Sequence, residues 1–478
     1  MAAPPPRKRR EFDRSIVDGP LPSAVWKLAW PTMLQNVIGG LQGLVDHIMV
    51  GNYVGFTGNA AIGVSWQIYL VVIVFISSLF TGMGVLVARF AGADEPEKVN
   101  RTVYQAFITA VGLAVLFMAP VGYLSAPWLL DLVNAEAAVQ AEALPYLRIM
   151  FVFAFGNLMF FMLSGALRSA GDAQTPLRLG VAMTVLNVVL NVVLIAGLGP
   201  IPAFGTTGAA MGSVASGWVV AMYAMWRLWG GGWVVAFEEG MEWLPDLSVI
   251  KELFRFGLPT GIQGVAMNMA GVLLLRFIGS LPQSAEAQAV YSLSYTQLFS
   301  FITWTSVGLL GATAAVAGQN LGAEQPSRAE KAPRVAARIG VGVAVFVGAF
   351  FVFMPETLLA LFGMEDPVVL ALGAQLLRYL SVSGLFVTVA LTYTGALQGT
   401  GDTTSPLYIS IVSQIVVPLG LCWVLQTFYT LQATDIWLAI VLGHVTRAVL
   451  SVVVFKRGKW KEIEVDIEGQ GGPAGARS

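Results

Sequence analysis

The sequence predicts an all-α integral membrane protein with twelve transmembrane helices in two six-helix lobes that are related by an internal repeat. Composition is the first reason: 56% of the 478 residues are hydrophobic and only 12% are charged, a balance that soluble domains of this size do not keep. The second is that apolar stretches of about 20 residues recur along the chain, which suits membrane helices and is too long for membrane strands. The third is a match between the two halves of the chain.

The spans follow from these apolar stretches, each of which ends where charged, glycine or proline residues gather. The twelve predicted spans are 24–50, 59–88, 103–124, 143–167, 176–197, 208–228, 251–279, 286–318, 335–355, 373–397, 405–428 and 435–456.

Lysine and arginine residues fall at alternate ends of these spans. The N-terminal segment holds Arg7 to Arg10, and every second loop after it also carries Lys or Arg. The loops around 51–58, 125–142, 198–207, 280–285, 356–372 and 429–434 have neither. Because cytoplasmic loops are the basic ones, this asymmetry predicts that both termini are cytoplasmic.

The repeat has an offset of about 228 to 230 residues. RFAGADEP (89–96) matches QNLGAEQP (319–326), GALRSAGDAQTP (165–176) matches GALQGTGDTTSP (395–406), and Pro31 matches Pro259. Parallel repeats imply a pseudo-two-fold axis along the membrane normal and a cleft between the lobes. The predicted organisation is a cytoplasmic tail (1–23), an N-lobe (24–228), a cytoplasmic linker (229–250) with Glu238, Glu239 and Glu242, a C-lobe (251–456) and a cytoplasmic tail (457–478), disordered from Gly458 onward.

One acid stands out in the first span. After Lys27 that span is uncharged as far as Asp46, and a carboxylate near the middle of a bilayer costs roughly 2.5 to 3.5 kcal/mol. Gln35, Gly39, Gln42 and Asp46 form one stripe at helical spacing, and Thr184, Asn187 and Asn191 share a face of the fifth span. Amide oxygens beside a carboxylate can hydrogen-bond a proton on it or coordinate a cation.

These residues resemble the multidrug and toxic compound extrusion (MATE) transporters. The resemblance rests on a proline-containing first helix that ends in VDHIMVG (45–51), on the duplicated GAL...GD..(T/S)P turn and on the two six-helix lobes, and it covers roughly residues 24–456. It implies a V-shaped pair of helix bundles that exports organic cations or amphipathic compounds in exchange for H⁺ or Na⁺.

The resemblance also implies roles for single residues. Asp46 matches the aspartate that family members use in cation coupling, and Pro31 matches the proline at which the first helix bends in some relatives. Asn187 and Asn191 match a pair that reads Asn then Asp in archaeal relatives, so Asn191 is a departure that removes one protonatable group. Relatives with a C-lobe carboxylate carry it on helices 7 and 10, where this chain offers Asn268 and no acid beyond Glu252 at the start of helix 7.

We therefore predict that Asp46, Asn187 and Asn191 couple the cation and that Pro31 is the hinge of helix 1. The substrate cavity is predicted to include five polar side chains: Gln35, Gln42, Asn157, Ser164 and Thr184. Alternatives remain open, namely an interfacial Asp46 that reaches water, asparagines that only join helices, and a structural proline. Arg276, Arg378 and Arg447 lie in or near spans and are expected to snorkel or to form structural pairs.

The predicted function is a secondary active multidrug efflux antiporter that works by alternating access. The alternative is a flippase or exporter of a lipid-linked or metabolite cargo. We expect no enzyme activity, because P-loop, HExxH and GxSxG motifs are absent, and no metal site or cofactor other than the coupling ion, because Cys422, His47 and His444 are the only cysteine and histidines. Expected partners are a small-molecule drug or metabolite and membrane lipids, without nucleic acid. The expected state is a multi-pass monomer in the bacterial inner membrane.

Overall fold

The protein is described by a computed structural model that covers residues 11–237, 243–364 and 366–467. Arg7 to Arg10 and Glu238, Glu239 and Glu242 lie outside the described residues. Within these ranges, twelve long helical elements follow one another: α1 Leu21–Tyr53, α2 Phe56–Gly92, α3 Pro96–Leu132, α4 in two parts (Ala137–Val152 and Phe155–Ser169), α5 Gln174–Ala196, α6 Gly205–Trp229, α7 Leu247–Gly279, α8 Ser284–Gly322, α9 Pro326–Phe353, α10 Pro367–Thr400, α11 Thr404–Phe428 and α12 Ala433–Lys456.

Each helix coincides with one predicted span. In the described ranges, ten of them are long and apolar enough to cross a membrane, and the two parts of α4, bent by 51° between Val152 and Phe155, qualify together as an eleventh. The twelfth, α1, has 33 residues and is therefore about 50 Å long, more than a bilayer core requires. The all-α membrane fold predicted from the sequence is confirmed.

The internal repeat is visible in the backbone. Asp94 and Glu324, which the repeat pairs, both have positive φ angles, 62° and 57°, a conformation that is uncommon outside glycine. Gly171 and Gly401 form a second such pair with φ angles of 101° and 106°. Glycine adopts this conformation without a steric penalty and ends the preceding helix there.

The side chains of the duplicated turn repeat as well. Asp172 Oδ1 accepts a hydrogen bond from the Thr175 backbone N–H at 2.9 Å and Asp402 Oδ1 accepts one from the Ser405 N–H at 2.9 Å. The hydroxyls of Thr175 and Ser405 donate to Oδ2 of the same carboxylates. Each aspartate therefore satisfies donors at the start of the next helix, which is a structural role.

The chain forms two compact units. Among the described residues, unit 1 holds 11–14, 38–237, 243–258 and 463–467, and unit 2 holds 15–37, 259–364 and 366–462. The boundaries between the units fall inside α1 and inside α7. The predicted lobes, 24–228 and 251–456, instead have their boundaries in the loops between helices, and that division stays a prediction.

Glycines allow close helix packing inside each unit. In unit 1, a Cβ added at Gly257 of α7 would lie 2.8 Å from Cα of Leu79 on α2. In unit 2, a Cβ added at Gly308 of α8 would lie 2.6 Å from Cα of Met33 on α1. Small residues of this kind let helix backbones approach in membrane proteins, where packing rather than the hydrophobic effect holds helices together.

The described parts of both predicted tails are packed. In unit 2, Ile16 and Val17 of the short helix Ser15–Asp18 are buried, and Arg328 Nη2 donates to Gly19 O at 2.7 Å. In unit 1, Ser248 Oγ donates to the carbonyl of the buried Ile467.

The expectation of disorder from Gly458 onward is therefore wrong as far as residue 467. Residues Lys459–Glu462 form a 3-10 helix whose Trp460 is 1% exposed. Although the segment is mostly polar, its apolar side chains Trp460 and Ile467 are buried, which stabilises the packed position. Arginine and serine side chains donate hydrogen bonds to backbone carbonyls of the segment.

Candidate functional site

The predicted cation-coupling residues lie together in unit 1. Asn191 Nδ2 on α5 donates a 2.7 Å hydrogen bond to Oδ1 of Asp46 on α1 and a 3.3 Å hydrogen bond to Asn187 Oδ1. Asn187 Nδ2 in turn donates to Ser213 Oγ on α6 at 3.1 Å. Both asparagines are fully buried and Asp46 is half-buried. Three helices thus meet in one polar network inside an apolar bundle.

A glycine on α6 makes room for this network. A Cβ added at Gly212 would lie closer than 3.0 Å to Asn191 Oδ1, so only glycine fits there without displacing the amide. The same Asn191 oxygen is buried and has no hydrogen-bond partner in the described part of the chain. Burying a hydrogen-bond acceptor without a partner costs free energy. An acceptor beside a carboxylate can accept a hydrogen bond from the protonated carboxyl group or coordinate a cation.

A second hydrogen-bonded pair lies one turn along α1. Thr184 Oγ1 on α5 donates to Gln42 Oε1 at 2.8 Å. Positions 42 and 46 lie on the same helix face, and a Cβ added at Gly39 or Gly43 would meet no atom within 4 Å. The glycines therefore leave open space on the face of α1 that carries Gln42 and Asp46.

The neighbour of Asp46 in sequence lies outside this network. His47 Nδ1 is hydrogen-bonded to Asn59 Oδ1 on α2. Successive helix positions differ by about 100° in direction, so the imidazole and the carboxylate point to different neighbouring helices.

The remaining predicted cavity residues are more dispersed. Gln35 belongs to unit 2, as does the buried Pro31. Asn157 and Ser164 lie on the second part of α4, where Asn157 Oδ1 faces Gly217 of α6 and Ser164 is 5% exposed. Their assignment to a substrate cavity stays a prediction.

Tyr146 was missed by sequence reasoning. It lies on the first part of α4, is 5% exposed, and is within electrostatic range of Asp46 and of the buried Tyr69. An aromatic residue in an apolar span normally indicates packing, so no sequence signal could have selected it. Its hydroxyl is thus within electrostatic range of the Asp46 network from a fourth helix.

The donor set limits what this site can bind. Among residues 11–237, 243–364 and 366–467, no group of three or more His, Cys, Asp or Glu side chains could hold a metal ion. One carboxylate with neutral amide oxygens offers a single negative charge, which suits one proton or one weakly held monovalent cation.

Comparison with known proteins identifies the fold and the family. The MatE family model matches residues 31–193 and 259–424, more than half of the chain. The chain belongs to the MATE family of transporters. Its two matched stretches begin at Pro31 and Pro259, the prolines that the internal repeat had paired.

Relatives match the MATE chain over nearly its whole length. It is 26% identical over 437 residues to a probable multidrug resistance protein NorM of Thermotoga maritima, covering 91% of this chain and 92% of the relative. It is also 26% identical over 440 residues to the multidrug resistance protein MdtK of Pectobacterium atrosepticum, covering 89% and 93%.

A solved structure has the same fold. It is an outward-facing multidrug resistance MATE family transporter of the MOP superfamily, with a TM-score of 0.87 at 22% identity, covering 95% of this chain and 99% of that one. This MATE chain is thus a multi-pass membrane protein with the MATE fold.

Proposed function

We propose that this chain is a secondary active multidrug efflux antiporter that exports organic cations or amphipathic compounds in exchange for H⁺, or alternatively Na⁺, by alternating access. The hydrogen bond from Asn191 to Asp46 carries the proposal, because it places the one acid of the first span in a buried polar network. The names of the relatives support multidrug compounds as the cargo class.

In the proposed cycle, ion and cargo compete for Asp46. The ionised carboxylate accepts the Asn191 N–H and attracts a cationic cargo. A proton arriving at Asp46 removes that negative charge, and the resulting O–H can donate to an amide oxygen such as Asn191 Oδ1. Cargo then loses its counter-charge and leaves, and release of the proton on the other side of the membrane restores the cargo-binding state.

The charge count decides which gradient drives transport. Moving one charge across the membrane is worth about 2.3 kcal/mol per 100 mV. Exchange of a monocation for one proton moves no net charge, so cationic cargo depends on the pH gradient alone. Neutral or zwitterionic cargo moves one net charge per cycle and responds to the membrane potential.

The chain is proposed to act as a monomer in the bacterial inner membrane. Both termini are proposed to be cytoplasmic, because the distribution of Lys and Arg residues favours that orientation. Pro31 is the proposed hinge of α1. A proline inside a helix removes one backbone hydrogen bond and lowers the cost of bending there. No cofactor is proposed beyond the coupling ion.

Transport by everted vesicles tests the proposal. Vesicles containing the parent protein should accumulate a fluorescent organic cation when a proton gradient is imposed, and Asp46→Asn should reduce the uptake rate to that of empty vesicles. Glu286→Gln, a matched change of an acid in the first turn of α8, should keep the parental rate. Parental uptake by Asp46→Asn would refute the coupling role. A lipid-linked cargo moved independently of Asp46 would favour the flippase alternative.

A further inference from the structure

Unit 2 contains a buried arginine whose charge nothing in the described chain neutralises. Arg447 on α12 is 4% exposed, whereas Arg276 and Arg378 are exposed. Snorkelling therefore does not describe Arg447. Its Nε has no hydrogen-bond partner in the described part of the chain, and none of the ion pairs there includes it.

The helices packed around Arg447 supply no acid at its depth. Helices α10 and α11 pack against α12 and contain no Asp or Glu. The acids of α12 and α8 are Asp435 and Glu286, each in the first turn of its helix. Asp435 is twelve residues from Arg447, about 18 Å along the helix axis, and it accepts hydrogen bonds from Gln432 N and Tyr429 OH.

Further unpartnered polar groups lie on the same face of α12. His444 and Ser451 stand three residues before and four residues after Arg447, so the three side chains share one face. His444 is 3% exposed and Ser451 is fully buried. His444 Nδ1 and Ser451 Oγ have no hydrogen-bond partner in the described residues.

Aromatic rings from α8 cover this face. The rings of Tyr295 and His444 are parallel within 3° with centroids 6.5 Å apart, and the Phe299 ring lies 5.9 Å from His444. Tyr295 and His444 are both within electrostatic range of Arg447. The guanidinium is thus within electrostatic range of two neutral ring side chains, neither of which carries a formal negative charge.

We propose that Arg447, His444 and Ser451 form a binding site in unit 2 for a small monovalent anion. A guanidinium cannot shed its proton, so burial does not neutralise it as it would a lysine or a histidine. Buried charges in membrane spans are paired or serve a site, and an anion supplies the missing charge while accepting hydrogen bonds from the guanidinium. The anion is either free in solution or the carboxylate of a cargo molecule.

Anion-dependent stability of the purified full-length protein tests this site. The melting temperature in detergent is measured in the sodium salt of MOPS, a bulky sulfonate that is not a carboxylate, at fixed ionic strength while MOPS is replaced by chloride or by benzoate. Because a ligand that binds only the folded state raises stability, the parent should melt higher in at least one of the two anions. A response to chloride indicates a free anion, and a response to benzoate alone indicates a carboxylate-bearing cargo.

The variants assign the effect to the arginine. Arg447→Met keeps the length of the side chain without its charge and should lose the anion response, whereas Arg378→Met, the same change at an exposed arginine, should keep it. Arg447→Lys, which retains a cation, should preserve a weakened response and serves if the methionine variant does not fold. If chloride raises the melting temperature of the parent protein, equilibrium dialysis with radioactive chloride should find one bound chloride per chain. A parent that responds to neither anion, or an Arg447→Met protein that responds like the parent, overturns the proposal.

Discussion

The side-chain amide of Asn191 donates a 2.7 Å hydrogen bond to Oδ1 of Asp46, which joins α5 to α1 inside unit 1. The acceptor is the carboxylate that we propose to exchange its ion for cargo, and the donor stands where archaeal relatives have an aspartate. Because position 191 is an asparagine, Asp46 is the one carboxyl group in this hydrogen-bonded pair.

Changing Asn191 to Asp should add a second proton to the transport cycle. Two carboxylates at this distance cannot both ionise readily, so they titrate as a coupled pair that binds two protons when fully protonated. Proton release on addition of cargo to weakly buffered, purified protein should rise from about one per chain toward two, since the pair takes up one more proton. Asn52→Asp is the control, because it makes the same change at an exposed position in the last turn of α1, away from the Asp46 network. An unchanged proton count in Asn191→Asp would mean that the two side chains do not act together.

Gly212→Ala should impair transport by displacing an amide rather than a charge. The added Cβ would overlap Asn191 Oδ1, and overpacking of this kind costs about 1–3 kcal/mol, which is roughly a 5- to 150-fold loss if it falls on cargo or ion binding. Cargo affinity of the purified protein and uptake by everted vesicles measure the effect. Gly271→Ala, where the Cβ would meet no atom within 4 Å, should keep parental values. A Gly212→Ala protein with parental affinity would show that the position of Asn191 does not matter.

Gly308→Ala should destabilise unit 2 through the packing of α1. The new Cβ would lie 2.6 Å from Cα of Met33, two residues after Pro31, and must push the two backbones apart at a cost of about 1–3 kcal/mol. The melting temperature should fall. The matched change Gly342→Ala on α9 places its Cβ in open space and should leave stability unchanged or raise it by up to about 1 kcal/mol. Equal melting temperatures for the two variants would contradict the close packing.

The ion pair that precedes α7 should make stability depend on acid pH. Desolvation raises the pKa of Asp246, but hydrogen bonds from Ser248 and Arg101 outweigh it and hold that pKa below its ordinary value. A lowered pKa in the folded state contributes stability above the ordinary pKa, and the contribution is lost as pH falls through the folded value. For Asp246 that window lies below pH 3.8.

Asp246→Asn keeps a good helix-capping side chain and removes only the charge. Its melting temperature should lie below the parental one at pH 7, and the gap should close as pH is lowered through the window. The effect at pH 7 should be about 1 kcal/mol or less, because Arg101 is 40% exposed. A gap that stays constant down to pH 3 would assign the effect to lost geometry rather than to charge.

The number and order of helices could be predicted because hydrophobic length and charge asymmetry are local properties. The repeat also predicted details of the backbone: Asp94 and Glu324 share a rare positive φ, and Asp172 and Asp402 hold equivalent turns. The candidate site was predicted in part. Helical spacing placed Asn187 and Asn191 on one face, and the family resemblance linked them to Asp46, but spacing on one helix cannot reveal which helix lies opposite.

Other features needed three-dimensional contacts. Tyr146 lies within electrostatic range of Asp46 although it belongs to a helix about 100 residues later in the chain, and Arg447 is buried although most arginines in spans reach water. The segment that ends at Ile467 looked like a polar tail, yet its carbonyls meet Arg89 and Ser248. Each of these depends on contacts between residues far apart in sequence.

The sequence by itself determined that the chain crosses a membrane as twelve helices in a duplicated pattern, and it singled out one acid in the first helix as a candidate functional group. These follow from the cost of placing polar groups in lipid, which each stretch of chain meets on its own. Only the tertiary structure decided that Asn191 is the partner of Asp46, that Gly212 makes room for it and that Arg447 has no counter-charge among the residues that the structure describes. Those facts depend on which helices pack together, because a hydrogen bond or a buried charge is defined by its neighbours in space.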